Sequence, residues 1–450
     1  MLIHAETALL PDGWARDVAV EMVEGRIARV TAGAAPQGMR LGCLLPAPVN
    51  LHSHAFQRAM AGMTERRSAG QDSFWTWRAL MYRFLERLTP QDVQAIAAQV
   101  MVEMAEAGYA AVAEFHYLHH QPDGRPYDSL SEMAEQIVSA AHETGFGLTL
   151  LPVLYQRGGC DGRALGPGQV RFGNDPDRYG RLWQASVVAT RGLIDARVGV
   201  APHSLRAVTA DGLGLAAGLA PDAPVHIHLA EQVAEVDEVL AHLGARPVEW
   251  LLANTAVDGR WCPIHCTQML PHETEGLARS GAVAGLCPIT EANLGDGIFD
   301  GLRWRAAGGA FGVGSDSNVR ISLTEELRLL EYSQRLRDRG RALLAAGEQS
   351  TGRVLFEGAA VGGAQAAGRA SGKIAVGAWA DLLALDMTSL HLEGRAGDEI
   401  LDALVFAGEN QPVAELWSAG RHIVQGGRHV ARDAVGARFR QVMKGLRARA

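Results

Sequence analysis

Between residues 47 and 369, short apolar runs of strand character alternate with longer stretches of helical period. Eight such runs end near His54, His116, Leu154, His203, Leu229, His265, Cys287 and Asp316. Apolar residues at helical spacing fill most of the intervals, for example 91–107, 129–144 and 323–344. Alternation of this kind predicts a parallel α/β fold. Eight units in about 320 residues predict a TIM-like (β/α)8 barrel with some long loops.

The two chain ends read differently. Residues 5–10, 18–22 and 25–30 are short strands punctuated by glycine, and a matching set lies at 372–386, 414–418 and 422–424. Two distant strand clusters around one long middle predict a small β-sandwich domain built from both ends, 1–46 and 370–430. The barrel then occupies 47–369, and 431–450 is expected to be a C-terminal helix, locally basic from Arg438 to Arg449 and solvated. With 450 residues, 48% of them hydrophobic, the chain can bury cores for both parts.

No run of about 18 apolar residues occurs, and the N-terminus lacks a basic-then-apolar layout, so a cytoplasmic protein without membrane contact is expected. Five scattered cysteines fit reduced thiols better than a disulfide framework. A net charge of −8 argues against nucleic acid as a partner.

The chemistry sits at the strand ends, where barrels of this kind carry their catalytic groups. The first apolar run ends in His52-Ser53-His54, and strand alternation points both histidines to one side. The fifth run, Val225-His226-Ile227-His228-Leu229-Ala230-Glu231, offers His228 as a ligand and, just past the strand, Glu231 as an acid/base group. The sixth ends in His265 and the eighth in Gly314-Ser315-Asp316, whose glycine permits close packing before the aspartate. Any one such residue is commonly a hydrogen-bonded structural group. The ordered set, each member ending a strand, points to a metal site. His226 lies one layer deeper than His228 and is expected to be buried and hydrogen-bonded.

These residues resemble the amidohydrolase superfamily, in its mononuclear deaminase branch, over nearly the whole chain. Four stretches are more narrowly similar to the formimidoylglutamate deiminase family. They are Asn50-Leu51-His52-Ser53-His54-Ala55-Phe56-Gln57-Arg58, Asp72-Ser73-Phe74-Trp75-Thr76-Trp77-Arg78, Ala113-Glu114-Phe115-His116-Tyr117 and Thr290-Glu291-Ala292-Asn293-Leu294-Gly295-Asp296-Gly297. The resemblance implies one zinc on His52, His54, His228 and Asp316, with Fe2+ or Mn2+ as other metals such donors accept. It makes Glu231 and His265 the catalytic pair, and Asp316 a base as well as a ligand. Zinc in such a site makes hydroxide available near neutral pH for attack on the formimino carbon.

The implied substrate, N-formimino-L-glutamate of histidine degradation, is a dicarboxylate amidine, and its acid end calls for guanidinium groups. Arg78 and Arg206 match substrate-binding positions of the family, as do Gln57, Tyr117 and His203. Read without the resemblance, Arg78 would cover an apolar helix face and Gln57 and Tyr117 would be ordinary packing or loop residues. Trp75 and Trp77 read as core or lid packing. The long connection 55–90 is expected to form a lid, and the segment around Cys287-Pro288 and 293–297 another wall. A homodimer is expected by resemblance. Asn318 and Gln268 stand where relatives carry histidine, and the glycine-rich 156–169 segment matches the family poorly. The alternatives are a deaminase of a purine or pterin ring, which would not need two guanidinium groups, and a catalytically silent scaffold.

Overall fold

The apolar run Met39–Pro46 does not stop where its sheet ends. It continues through Ala47 and Pro48 into Val49–Ser53, so one stretch of chain belongs first to the sheet made by the chain ends and then to the barrel. The computed structural model describes residues 1–65, 74–408 and 412–448, and of residues 74–76 the backbone alone.

In the barrel, Val49–Ser53 pairs in parallel with Ala111–His116, and that strand with Gly147–Leu154. The fourth position is split into Arg197–Val198 and Ala201–Pro202, both paired to Gly147–Leu154. Val225–Leu229, Trp261–His265, Val283–Leu286 and Ala310–Val313 follow, each parallel to the next. Bridges between Val200 and Val225 and between Ser53 and Asp316 close the ring. The eight strand ends therefore fall where the apolar runs predict them. At the break in the fourth strand Gly199 allows a close approach, since a Cβ there would lie 2.5 Å from Leu151 and 2.8 Å from Pro224 O. Most barrel strands are wholly buried, as expected for parallel strands covered on both faces.

Helices are placed by their caps. Thr89 and Asp92 form a capping box ahead of Pro90–Glu106, and Ser322 caps Leu323–Asp338. The helix Thr351–Ala366 closes the barrel floor, where a Cβ on Gly362 would lie 1.9 Å from Phe311 O, so glycine allows the close approach.

The two ends form one hydrogen-bonded sheet of eight strands. In spatial order these are Arg428–His429, Arg421–Gln425, Val413–Ser418, Leu382–Leu385, Met39–Pro46, Leu2–Leu10, Gly13–Val23 and Arg26–Thr31. Arg26 bridges to Trp379, so the far edge of the sheet meets the chain entering Leu382–Leu385. Ile3, Val18, Ile27, Leu44, Leu382 and Trp417 share its core. A buried ion network joins sheet to barrel: Arg369 lies 2.6 Å from Asp381 and 2.8 Å from Asp195, and Arg421 lies 2.7 Å from Asp195. The C-terminal helix Arg432–Ala448 is not wholly solvated: it buries Val435 and Leu446.

Candidate metal centre and active site

His52, His54, His228 and Asp316 come together with one ligand atom each, all within 4.8 Å of one another and all buried. The backbone aims them. His54 Nδ1 is 2.9 Å from Phe115 O, and His228 Nδ1 is 3.1 Å from His203 O. A carbonyl can only accept, so each Nδ1 carries the proton and each Nε2 lone pair faces the centre. His52 Nε2 and His54 Nε2 lie 3.4 and 3.3 Å from Asp316 Oδ1. Neither ring nitrogen of His52 has a hydrogen-bond partner, an arrangement that is costly unless a cation takes the lone pair.

Burial lowers His52 to about 3 and pushes His54 and His228 down as well, so the imidazoles are neutral. Burial works against Asp316, but the ring nitrogens of His52 and His54 close beside it, at 3.4 and 3.3 Å, hold it below the usual carboxylate range. Three neutral nitrogens and one carboxylate are the donor states a zinc-class cation needs.

Beside this centre, the chain turns sharply after three strands. Ala230, His265 and Cys266 adopt φ of 52°, 72° and 55°, and Asp316 and Asn318 adopt 44° and 54°. Such left-handed backbone is strained for residues with a Cβ and gathers at functional sites. It persists here because the turns are pinned. Ala230 N and Glu231 N donate to the Glu235 carboxylate at 3.2 and 2.9 Å. Asn318 donates to Ser53 Oγ, His54 O and Asp316 O at 3.1 to 3.2 Å and accepts from Ser315 Oγ at 2.6 Å. Asn318 thus ties the first strand end to the eighth. Gln268 donates to Asp296 O.

His265 Nε2 lies 3.7 Å from Glu231 Oε1, and its Nδ1 lies 3.3 Å from Glu291 Oε1. Burial disfavours the imidazolium, yet Glu231 and the bond to Glu291 raise His265 well above its ordinary value. Burial lifts Glu231 to about 7, with His265 opposing. Glu291 also accepts from Cys287 N at 2.8 Å. The sequence reading gave it no role, since a glutamate in the first turn of a helix, here Pro288–Leu294, reads equally well as a cap.

A pocket opens over the centre. His54, His228, Glu231, His265 and Asp316 line one end, and all five expected substrate-binding residues, Gln57, Arg78, Tyr117, His203 and Arg206, line the rest. Gln57 Nε2 donates to Tyr117 Oη at 2.9 Å. Arg78 donates through Nη2 to Tyr155 Oη at 3.2 Å and through Nε to Tyr82 Oη, and Gln169 Nε2 reaches Tyr155 Oη at 2.9 Å. The His203 ring lies 4.8 Å from that of His228, tilted by 34°, and Arg206 is 7% exposed.

Tyr82, Tyr155 and Phe172 were not picked out from sequence; aromatic residues one position past a strand or inside a helix carry no distinguishing spacing. Trp77 both lines the cavity and packs on the core, and Leu294 supplies the expected second wall. Of the connection expected to form a lid, residues 66–73, with Asp72 and Ser73, lie outside the described residues, as does the Trp75 side chain. His226 turns away from the centre, with Nε2 2.8 Å from Ala366 O.

Residues 43–423 match the amidohydrolase family, and residues 1–39 match the N-terminal domain of formimidoylglutamate deiminase HutF. The chain belongs to the amidohydrolase family and is a hydrolase of C–N bonds. Within that family its place is with the formimidoylglutamate deiminases. It is 49% identical over 450 residues to formimidoylglutamate deiminase of Pseudomonas aeruginosa, covering 98% of each chain. The crystal structure of an amidohydrolase from Brucella melitensis superposes with a TM-score of 0.95 at 50% identity, covering 99% of both chains. An adenosine deaminase from Xanthomonas campestris with bound zinc shares the fold, with a TM-score of 0.83 at 21% identity and coverage of 99% of this chain and 98% of that one.

Proposed function

We propose that this chain hydrolyses N-formimino-L-glutamate to N-formyl-L-glutamate and ammonia, with one zinc on His52, His54, His228 and Asp316. The observation that carries the reading is a single pocket with a His/His/His/Asp cluster at one end and two arginines, Arg78 and Arg206, among its remaining walls. A substrate with a cationic amidine and two carboxylates matches that distribution of charge. The 49% identity to the P. aeruginosa enzyme supports the same substrate. The reading extends to a cytoplasmic homodimer acting in histidine degradation, as the family resemblance implies. Among the described residues no helix is long and apolar enough to cross a membrane.

Zinc, when bound, supplies the Lewis acidity that makes water a nucleophile near neutral pH. The chain's own groups do the rest. Arg78 and Arg206 hold the carboxylates, and Gln57, Tyr117 and His203 fix the body of the substrate, so that the formimino carbon faces the centre. Asp316 takes a proton from the attacking water. His265, held by Glu291, steadies the charge that develops on oxygen. Glu231, with a value near neutrality, passes a proton to the nitrogen that leaves. The balance is one amidinium and one water giving one formamide and one ammonium.

Ammonia release by the zinc-loaded protein tests this, with N-formimino-L-aspartate beside the glutamate compound and His228→Ala as control. Release from the glutamate compound alone is expected. No release from either substrate by protein with bound zinc would sink the assignment and favour a ring deaminase.

A further inference from the structure

Behind the acid/base pair stands a third buried group. Asp296 is 2% exposed, Glu231 4% and His265 1%, and one oxygen or nitrogen of each lies within 4.8 Å of the other two. Asp296 is firmly placed. Its N–H donates to Glu291 O at 2.9 Å, its carbonyl accepts from Gln268 Nε2, and its Oδ1 accepts from Gln232 Nε2. The remaining oxygen, Oδ2, is buried without a hydrogen-bond partner. An orphaned carboxylate oxygen beside a second carboxylate is a buried acceptor to which nothing donates. Burial, and then Glu231, push Asp296 up to about 9.

We infer that Glu231, His265 and Asp296 form a second, weaker site for a zinc-class divalent cation, and that filling it stops the reaction. Two carboxylate oxygens and an imidazole nitrogen are a borderline donor set that suits zinc, cobalt or manganese better than magnesium or calcium. Zinc with bonds of about 2.1 Å needs its donors roughly 3 to 3.6 Å apart. Glu231 and His265 already stand at 3.7 Å, so the cluster closes by about an ångström or less around the ion. Entry is open, because Glu231 and His265 line the cavity while Asp296 backs them.

Three donors hold the ion less tightly than the four of the first site, and the first metal's charge repels it. Once seated, the ion engages both acid/base groups and opposes the positive end of an amidine. The site does not depend on the substrate assigned above, because its readout is bound metal; the inhibition rests on that reading, and full activity with the second equivalent bound would overturn it.

The test is equilibrium dialysis of the full-length protein, loaded with one equivalent of zinc, against rising free zinc, with bound metal measured by atomic emission. A second equivalent is expected at a free concentration at least about 100-fold above that filling the first, with activity falling along the same isotherm and magnesium without effect. Asp296→Asn should keep the first equivalent and weaken the second at least tenfold. A wild-type crystal soaked in excess zinc should give an anomalous peak among Glu231, His265 and Asp296, a readout that stands even if the variant fails to fold. One equivalent at all concentrations, a second that is unchanged in Asp296→Asn, or no peak between these three residues would overturn the site. A single equivalent would mean that a shared proton, not a cation, balances the two carboxyls.

Discussion

The two ends of the pocket are built in different ways. At the metal end every acting side chain leaves a strand or one of the three residues after one, and backbone fixes its direction: Phe115 O on His54, His203 O on His228, and left-handed turns at His265 and Asp316. At the acid end the groups come from a 3-10 segment, a helix and loops. Gln57 belongs to Ala55–Met60, Arg78 to Phe74–Leu85, and Arg206 follows the broken fourth strand. Side chains there are aimed by other side chains, Gln57 by Tyr117 and Arg78 by Tyr155 and Tyr82. The difference teaches where each kind of damage appears. On the proposed function, changes at the first end should strike the chemical step, and changes at the second should strike affinity.

The sharpest break comes from His228. His228→Ala removes one of four ligands held in place by burial and by its bond to His203 O. Ammonia release should fall by about 10^4-fold or more, and tightly bound zinc should fall with it. Retained activity with a full complement of metal would break the claim that this end is the chemical one.

Arg206→Ala probes the other end. Loss of one charged hydrogen-bonding partner, worth about 1.5 to 3 kcal/mol, should raise KM for the glutamate compound by about 10- to 100-fold and leave kcat within a few-fold. Metal content should not change. A fall in kcat at constant KM would mean that Arg206 acts on the reacting carbon and that the division between the two ends is misplaced.

The same division explains what was legible in the sequence. A strand fixes side-chain direction by simple alternation, so His52, His54, His228, His265 and Asp316 announce themselves through position at the ends of apolar runs, and the ring of eight follows from the same runs. Arg78, Arg206, Gln57 and Tyr117 carry no such signature. A helical arginine beside tryptophans has the pattern of a covered apolar face, and only resemblance to a family singles it out. Tyr155 and Tyr82 escaped both routes, because their work is to aim Arg78. Glu291 escaped because it reaches back to Cys287 N as a helix-capping glutamate would, and only the folded chain puts His265 within reach of the same oxygen.

Glu291 therefore offers a way to sharpen the first end. In Glu291→Gln the amide oxygen can still accept from Cys287 N and from His265 Nδ1–H, so the turn is kept while the charge behind the imidazole is lost. We expect kcat to fall by about tenfold or more, as for partners that orient an active-site histidine, with KM and zinc content unchanged. Glu291→Ala should be worse in kcat and also less stable, because Cys287 N then loses its partner. Near-normal kcat in Glu291→Gln, with the loss confined to Glu291→Ala, would show that the cap, and not the charge behind His265, is what matters.

The smallest effect is expected at Tyr155, and it bears most directly on how the acid end is held. Its hydroxyl accepts from Arg78 at 3.2 Å and from Gln169 at 2.9 Å, and its ring lies 4.6 Å from that of His203. Tyr155→Phe keeps the ring packing and removes only the acceptor. The bond from the Arg78 guanidinium is a charged one but long at 3.2 Å, so its loss should fall at the low end of the charged range, about 1.5 kcal/mol, and KM should rise by about 10-fold or less while kcat and metal stay as they were. Arg78 keeps its bond to Tyr82, which is why the loss is partial. Combining Tyr155→Phe with Tyr82→Phe should then raise KM by more than the product of the single effects, since the guanidinium loses both hydroxyls that aim it. If the effects simply multiply, each tyrosine acts on the pocket separately and the acid end is not held as one network.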